Sequence, residues 1–215
     1  MNCVIFANGE YEKIEDYYDI VQKADVIICA DGGANYARQM GINPDYIIGD
    51  LDSILPEVKE YYAGKQVKYQ KYPRRKDFTD LHLAMSLADK LGANEIILIG
   101  SLGKRLDHTL ANIYCGIEML KRGKRIMHYS PSCTVYLIAD SLLFRGKAGD
   151  LISVLTLSEK AVGVYERGFE YPLEDVEMEY GIPYGISNVL CKDSGEIGLQ
   201  AGILAVFHYR IQDNN

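Results

Sequence analysis

The sequence predicts an α/β N-terminal domain with a mostly parallel sheet, followed by an all-β sandwich C-terminal domain. In the first half, short apolar runs alternate with amphipathic stretches, as in parallel sheets that are covered by helices. In the second half, strand-like runs follow one another without a helical pattern, and Gly, Pro and Asp separate them. The change falls at Pro131, so the predicted domains are residues 1–131 and 132–215.

The predicted strands of the first half are brief, rich in Val and Ile, and bounded by turn residues, as buried parallel strands are. They are Cys3–Ala7, Val26–Ala30, Tyr46–Ile48, Val67–Tyr72, Glu95–Ile99 and Arg125–Tyr129. Amphipathic helices are clearest over Leu81–Leu91 and Leu110–Leu120. In the second of these, apolar residues recur at helical spacing, at Leu110, Ile113, Ile117 and Leu120.

The predicted strands of the second half are close together, which favours antiparallel pairing in a sandwich or barrel. They are Thr134–Ala139, Ser141–Phe144, Leu151–Leu157, Ala161–Tyr165, Gly185–Leu190 and Leu204–Tyr209.

Composition limits the functional classes. The net charge of -7 argues against a nucleic-acid partner, which usually requires a basic face. The five cysteines form no C-x-x-C pair, which suits a reducing compartment and neither a zinc knuckle nor a redox dithiol. No basic leader precedes the first apolar run, and no run approaches the length of a membrane span. We therefore expect a soluble, cytoplasmic protein without a membrane partner.

Polar or glycine-rich clusters follow four of the predicted parallel strands. Ligands bind beyond the carboxyl ends of such strands, so these clusters are expected to meet at one edge of the sheet. The clusters are Asp31-Gly32-Gly33-Ala34-Asn35, Gly49-Asp50-Leu51-Asp52-Ser53, Lys76-Asp77-Phe78-Thr79-Asp80 and the stretch from Gly100 to His108.

Asp50 and Asp52 are the first candidates for a metal site. Residues two apart in an extended segment point to the same face, so both carboxylates can share one hard cation. Mg²⁺ prefers a few carboxylates together with water and substrate phosphates. The alternative is an ordinary turn, because Gly-Asp and Asp-Ser are common turn pairs.

The other clusters each have a structural alternative. Asp77 and Asp80 fit a helix cap, with Asp77 as N-cap and Asp80 at N3, although Asp80 could still point to a metal. Gly32 and Gly33 would let the backbone approach a phosphate or ribose, but a tight turn explains them equally well. The chain has neither a P-loop motif nor a G-x-G-x-x-G fingerprint.

The stretch from Gly100 to His108 brings positive charge towards the acidic clusters. Lys104 and Arg105 lie in it, and a planar guanidinium suits bidentate phosphate contacts. Asp107 could orient Arg105 or bind part of a nucleotide, or it could simply begin a helix. His108 is interpreted as a local hydrogen-bonding residue.

In order and spacing, these clusters closely resemble the motif series of the thiamine pyrophosphokinase family. Gly168-Phe169-Glu170-Tyr171-Pro172-Leu173 and Gly185-Ile186-Ser187-Asn188 are similar to its C-terminal signatures, so the resemblance covers nearly the whole chain. It implies that ATP and thiamine are converted to AMP and thiamine diphosphate with Mg²⁺. It also implies a homodimer with the thiamine site near the subunit interface.

The resemblance also assigns residues by position. It implies a metal site of Asp50, Asp52 and Asp80, which together with Arg105 are the expected catalytic residues. The expected nucleotide contacts are Asp31, Gly32, Gly33, Thr79, Lys104, Arg105 and Asp107. Ser187 and Asn188 are expected to contact the vitamin. The chain departs from relatives that stack a Trp on thiamine, because it has no Trp, and one of its Tyr residues would take that place.

Three alternative functions remain open at this level. A diphosphokinase for another alcohol, such as a pterin, would differ only in the C-terminal half. A non-catalytic nucleotide- or thiamine-binding sensor could use the same fold, although it would not need the full set of Asp50, Asp52, Asp80 and Arg105. A magnesium-dependent phosphohydrolase is the third.

Overall fold

The computed structural model describes residues 1–103 and 105–211. The chain divides into two compact units, Met1–Ser130 and Pro131–Asn215. Each unit has its own cluster of buried apolar residues. Within the described ranges, no helix combines the length and the apolar composition that a membrane crossing requires.

The first unit is built on a parallel sheet. Its strands are β1 (Asn2–Phe6), β2 (Val26–Ala30), β3 (Tyr46–Gly49), β4 (Lys68–Lys71), β5 (Glu95–Ile99) and β6 (Arg125–Tyr129). In space they follow the order β6-β5-β1-β2-β3-β4, and every neighbouring pair is parallel. The chain reverses its direction of progress between β1 and β5, which is where open α/β sheets form their binding crevice.

Helices connect these strands. They are a 3₁₀ turn at Ile14–Tyr17, α1 (Tyr18–Val21), α2 (Gly33–Gln39), α3 (Pro56–Ala63), α4 (Asp80–Lys90) and α5 (Leu106–Lys121). In α4, Leu81, Ala84, Met85 and Ala88 are buried at helical spacing, and the helix contacts β1, β2 and β3. The first four helical segments have at most eight residues, too few for a clear sequence period.

The helix predicted over Leu110–Leu120 is longer than expected, and one residue of its predicted apolar series is exposed. It begins at Leu106, and Leu110 is 52% exposed. Its buried residues are Ile113, Gly116 and Met119. The predicted apolar spacing therefore holds for Ile113, which is buried, and for Ile117 and Leu120, which are half-buried, but not for Leu110.

The second unit is an antiparallel sandwich, which confirms the predicted fold class. Its strands are β7 (Cys133–Ile138), β8 (Ser141–Arg145), β9 (Leu151–Thr156), β10 (Lys160–Arg167), β11 (Leu173–Glu179), β12 (Gly185–Val189), β13 (Ser194–Gly198) and β14 (Leu204–Tyr209). One layer has the order β12-β9-β14-β7 and the other β11-β10-β13-β8. Buried side chains from both layers form one core.

Candidate active site

A cavity of about 510 Å³ lies in the first unit, lined by residues that follow the carboxyl ends of its strands. Asn8 follows β1, Asp31 follows β2, Asp50 follows β3 and Ser101 follows β5. The sheet therefore brings the sequence-predicted clusters together, as parallel strand ends do.

Asp50 and Asp52 converge through a turn and not through an extended segment. Leu51 between them has φ of 67°, and Oδ1 of Asp50 accepts a hydrogen bond of 3.1 Å from the backbone N–H of Asp52. This bond is the main cause that lowers the pKa of Asp50. The prediction that Asp50 and Asp52 lie in an extended segment was wrong. The turn, which was the alternative, brings the two carboxylates together.

Asp31 completes the acidic group. A carboxylate oxygen from each of Asp31, Asp50 and Asp52 can be chosen so that all lie within 4.8 Å of one another. Asp31 is 7% exposed, has φ of 47°, and its Oδ1 has no hydrogen-bond partner among the described residues. Burial raises the pKa of Asp31, hydrogen bonding from Ser53 opposes the rise, and the charge of Asp80 adds to it.

Asp80 lies beside this group and faces a lysine. Its Oδ1 is 2.9 Å from Nζ of Lys76, although that contact lacks hydrogen-bond geometry, and Asp80 is not part of the acidic trio. Gly49 makes the approach of β3 to Asp80 possible, because a Cβ there would lie 2.8 Å from Oδ1 of Asp80. With φ of 141°, Gly49 is also in a backbone conformation that L side chains rarely adopt.

The prediction that Asp77 is the N-cap of the helix and Asp80 its N3 residue was wrong. Thr79 is the N-cap of α4, and its Oγ1 accepts a hydrogen bond of 3.1 Å from the N–H of His82. Asp80 is thus the first residue of the helix, and Asp77 is exposed without a capping role. Thr79 still lines the cavity.

Gly32 and Gly33 have a packing role in the structure. A Cβ on Gly32 would lie 2.4 Å from the Asn8 side chain, and one on Gly33 would lie 2.1 Å from the carbonyl oxygen of Phe6. The two glycines therefore let the start of α2 approach the end of β1. This favours the tight-turn interpretation, and the nucleotide contact of these glycines stays a prediction.

Arg105 and Asp107 form a bidentate ion pair at the mouth of the cavity. Nε of Arg105 lies 3.1 Å from Oδ1 of Asp107, and Nη2 lies 2.6 Å from Oδ2. The guanidinium lowers the pKa of Asp107. Both side chains are exposed, so a phosphate group could replace Asp107 as the partner of Arg105. Lys104, also predicted to bind nucleotide, lies outside the described residues.

Two basic side chains that line the cavity, Arg74 and Lys76, were not predicted as site residues. Nε of Arg74 lies 3.5 Å from Oδ2 of Asp52. The positive charges of Lys76 and Arg74 also help to lower the pKa of Asp50. The i,i+4 spacing of Lys76 and Asp80 after β4 was the sequence feature that could have predicted their ion pair.

A buried pair supports the loop after β5. Oγ of Ser101 lies 2.9 Å from Nδ1 of His128, and Nδ2 of Asn112 donates a 2.7 Å hydrogen bond to the carbonyl oxygen of Ser101. Burial lowers the pKa of His128 to about 4, so this imidazole is neutral at pH 7. Ser101 and Asn112 line the cavity, and the buried His128 supports Ser101 from behind. The sequence did not reveal this group because its members are far apart along the chain.

The two predicted vitamin contacts lie in the second unit and differ in their surroundings. Asn188 is buried: its Oδ1 accepts hydrogen bonds from the N–H groups of Tyr171 and Val189, while Nδ2 donates to the Tyr171 carbonyl and to Oε2 of Glu166. All positions of the amide are thus used within the protein. We therefore revise its role from contact to positioning.

Ser187 keeps the features of a contact residue. Its side chain is exposed, and its φ of 61° is unusual for a residue other than Gly. The N–H of Ser187 donates a 3.0 Å hydrogen bond to Oγ of Ser153, which holds this conformation. Backbone strain of this kind is common at functional sites, so vitamin contact by Ser187 stays a prediction.

Comparisons with known proteins agree with this geometry. The sequence model of "Thiamin pyrophosphokinase, catalytic domain" matches residues 17–128, just over half of the 215-residue chain. The model of "Thiamin pyrophosphokinase, vitamin B1 binding domain" matches residues 142–204. The two matches fall within the first and the second unit, respectively.

Individual relatives carry the same name. Thiamine pyrophosphokinase 1 of Oryza sativa is 29% identical over 203 residues, covering 81% of this chain and 75% of the relative. Thiamine pyrophosphokinase of Bacillus subtilis is 27% identical over 209 residues, covering 93% and 94%.

Solved structures of such proteins share the fold. The crystal structure of thiamine pyrophosphokinase from Bacillus subtilis matches with a TM-score of 0.88 and 25% identity, over 99% of this chain and 100% of that one. Yeast thiamin pyrophosphokinase matches in fold, with a TM-score of 0.74 at 18% identity, over 97% and 86%. The chain belongs to the thiamin pyrophosphokinase family.

Proposed function

We propose that this protein transfers the terminal diphosphate group of ATP to the hydroxyl group of thiamine, giving thiamine diphosphate and AMP. The observation that carries the proposal is the acidic trio of Asp31, Asp50 and Asp52, placed in a cavity with basic side chains within the matched catalytic domain. Moving a diphosphoryl group depends mainly on positioning and charge neutralisation, and such a site supplies both.

The acidic trio fits a divalent cation, and we propose Mg²⁺. Carboxylate oxygens are the ligands this ion prefers, and the unpartnered, buried Oδ1 of Asp31 supplies an acceptor that lacks a donor among the described residues. Asp31, Asp50 and Asp52 would hold the ion, and Asp80 would act beside them while facing Lys76. When bound, Mg²⁺ would neutralise charge on the diphosphate oxygens.

The remaining groups position the reactants. The thiamine hydroxyl oxygen forms a bond to the β-phosphorus and gives up its proton to the solvent. The bond from that phosphorus to the oxygen bridging the α-phosphorus breaks, and AMP leaves. Arg105 would exchange its Asp107 partner for phosphate oxygens, while Lys76 and Arg74 contribute further positive charge at the cavity. Thr79 lines the cavity and would lie beside the nucleotide, while the Gly32-Gly33 turn lets the start of α2 approach the end of β1.

We also propose a homodimer that brings the vitamin site of one copy to a catalytic cavity. Apolar side chains are exposed on both units, and exposed apolar clusters of this kind mark interaction surfaces. They are Leu106 and Leu110 on α5, Tyr180, Ile182 and Tyr184 between β11 and β12, and Ile186 in β12. Light scattering after size-exclusion chromatography should give the mass of two chains, and a monomer would contradict this part.

The direct test is product analysis. With ATP, Mg²⁺ and thiamine, chromatography should show AMP and thiamine diphosphate in equal amounts. AMP from a pterin alcohol but not from thiamine would favour the alternative diphosphokinase. Inorganic phosphate without a vitamin product would favour a phosphohydrolase, and binding without any turnover would favour a sensor.

A further inference from the structure

Glu166 is a buried acid that the proposed reaction has not yet used. It lies within β10, between Leu173 of β11 and Ile197 of β13, and is only 1% exposed. Its Oε2 accepts a hydrogen bond of 2.8 Å from Nδ2 of Asn188. Its Oε1 has no hydrogen-bond partner among the residues that the structure describes. A buried polar atom without a partner is costly, so this oxygen requires an explanation.

A small cavity of about 200 Å³ lies against Glu166 in the second unit. Tyr171, Tyr184, Leu173 and Ile186 also line it, and the two tyrosines are 64% and 60% exposed. Pockets that hold a whole drug-sized ligand measure ~300–1,000 Å³, so this cavity suits a single ring. Aromatic walls with one acceptor at the base suit a flat heteroaromatic ring that carries an N–H donor.

Asn188 cannot supply the polar contact to such a ring. Each of its amide positions is used, and the bond to Oε2 holds the Glu166 carboxyl in one orientation. Burial raises the pKa of Glu166 to about 7, and the Asn188 bond opposes that rise. A donor that reached Oε1 would relieve part of the cost of burying the carboxylate.

We propose that Glu166 determines specificity for the vitamin, with Oε1 accepting a hydrogen bond from the amino group of its pyrimidine ring. This inference rests on the proposed function, because thiamine combines an aminopyrimidine with the hydroxyl group that is phosphorylated. It assigns the ring to the cavity of Tyr171 and Tyr184. Asn188 is then a positioning residue that acts through Glu166.

The test compares thiamine with oxythiamine, in which a carbonyl oxygen replaces the pyrimidine amino group. Sites that hydrogen-bond an N–H group discriminate strongly against analogues that lack it. Wild-type protein should therefore prefer thiamine in kcat/KM. Glu166→Gln can donate to the carbonyl oxygen, so it should reduce that preference by about tenfold or more while the KM for ATP stays unchanged. Glu159→Gln is the matched control, since Glu159 is exposed in the same unit and does not line the cavity.

The outcomes separate this inference from the proposed function. An unchanged preference in Glu166→Gln, or equal losses with both vitamin forms, would assign Glu166 to structure alone. If that variant does not fold, the wild-type protein alone still tests the inference. Similar kcat/KM values of wild-type protein for thiamine and oxythiamine would overturn it. Absence of AMP from wild-type protein with both forms would overturn the proposed function and this inference together.

Discussion

The buried carboxyl group of Glu166 predicts a pH-dependent contribution to the stability of the protein that a single substitution can remove. Its pKa is raised from 4.5 to about 7 in the folded state, so folding favours the protonated form. The resulting stability is fully present below the unfolded pKa of 4.5 and is lost as the pH rises through about 7. One pKa unit corresponds to about 1.4 kcal/mol, so the total loss is about 3 kcal/mol.

Glu166→Gln removes this dependence while keeping the size of the side chain and an acceptor for Asn188. Between pH 5 and pH 8, the stability of the variant relative to wild type should rise by about 2–3 kcal/mol. Urea denaturation followed by circular dichroism measures this difference, since the chain has no Trp for fluorescence. The stability of the control variant Glu159→Gln should change with pH as that of wild type does. Parallel curves for Glu166→Gln as well would refute the buried-acid reasoning.

Four further substitutions test the two sites. Asp50→Asn should reduce kcat at least about a hundredfold without a loss of stability, because it removes the charge of a proposed metal ligand at nearly constant volume. Arg105→Lys should lower kcat/KM about tenfold, since lysine cannot grip two phosphate oxygens. Asn188→Ala should destabilise the protein by about 2–3 kcal/mol, because it leaves Glu166 and the backbone of Tyr171 unpaired. Ser187→Ala should raise the KM for thiamine alone.

Matched controls define what would contradict these expectations. Asp19→Asn and Arg125→Lys make the same chemical changes at exposed side chains and should leave steady-state kinetics unchanged. Losses in Asp50→Asn or Arg105→Lys no larger than in these controls would remove those residues from the site. Unchanged thermal stability of Asn188→Ala would contradict its positioning role. Equal KM changes for both substrates in Ser187→Ala would assign that residue to structure.

Much of the fold could be predicted because its strands are short and apolar and follow the expected periods. Glu95–Ile99, Arg125–Tyr129 and Leu204–Tyr209 were predicted with the bounds that the structure shows. The strands missed, Leu173–Glu179 and Ser194–Gly198, are rich in acidic residues or Gly and lack an apolar run. Their pairing within the sandwich, and not their own propensity, makes them strands.

The site could be predicted in its residue types but not in its geometry. The position of Asp50 and Asp52 after a strand was visible, whereas the left-handed Leu51 that groups them was not. Asp31 joins the trio through burial and a positive φ, which depend on tertiary structure. Glu166 stands between Tyr165 and Arg167 in a strand, and its burial follows from the order of the strands, which the sequence did not reveal.

The transfer of an intact diphosphate group is the central claim, and labelled ATP tests it most directly. ATP that carries a label on the β-phosphorus is incubated with the protein, Mg²⁺ and thiamine, and the products are separated. We expect the label on the phosphorus bonded to the thiamine oxygen, in thiamine diphosphate, together with unlabelled AMP. Label in ADP together with thiamine monophosphate would contradict the account.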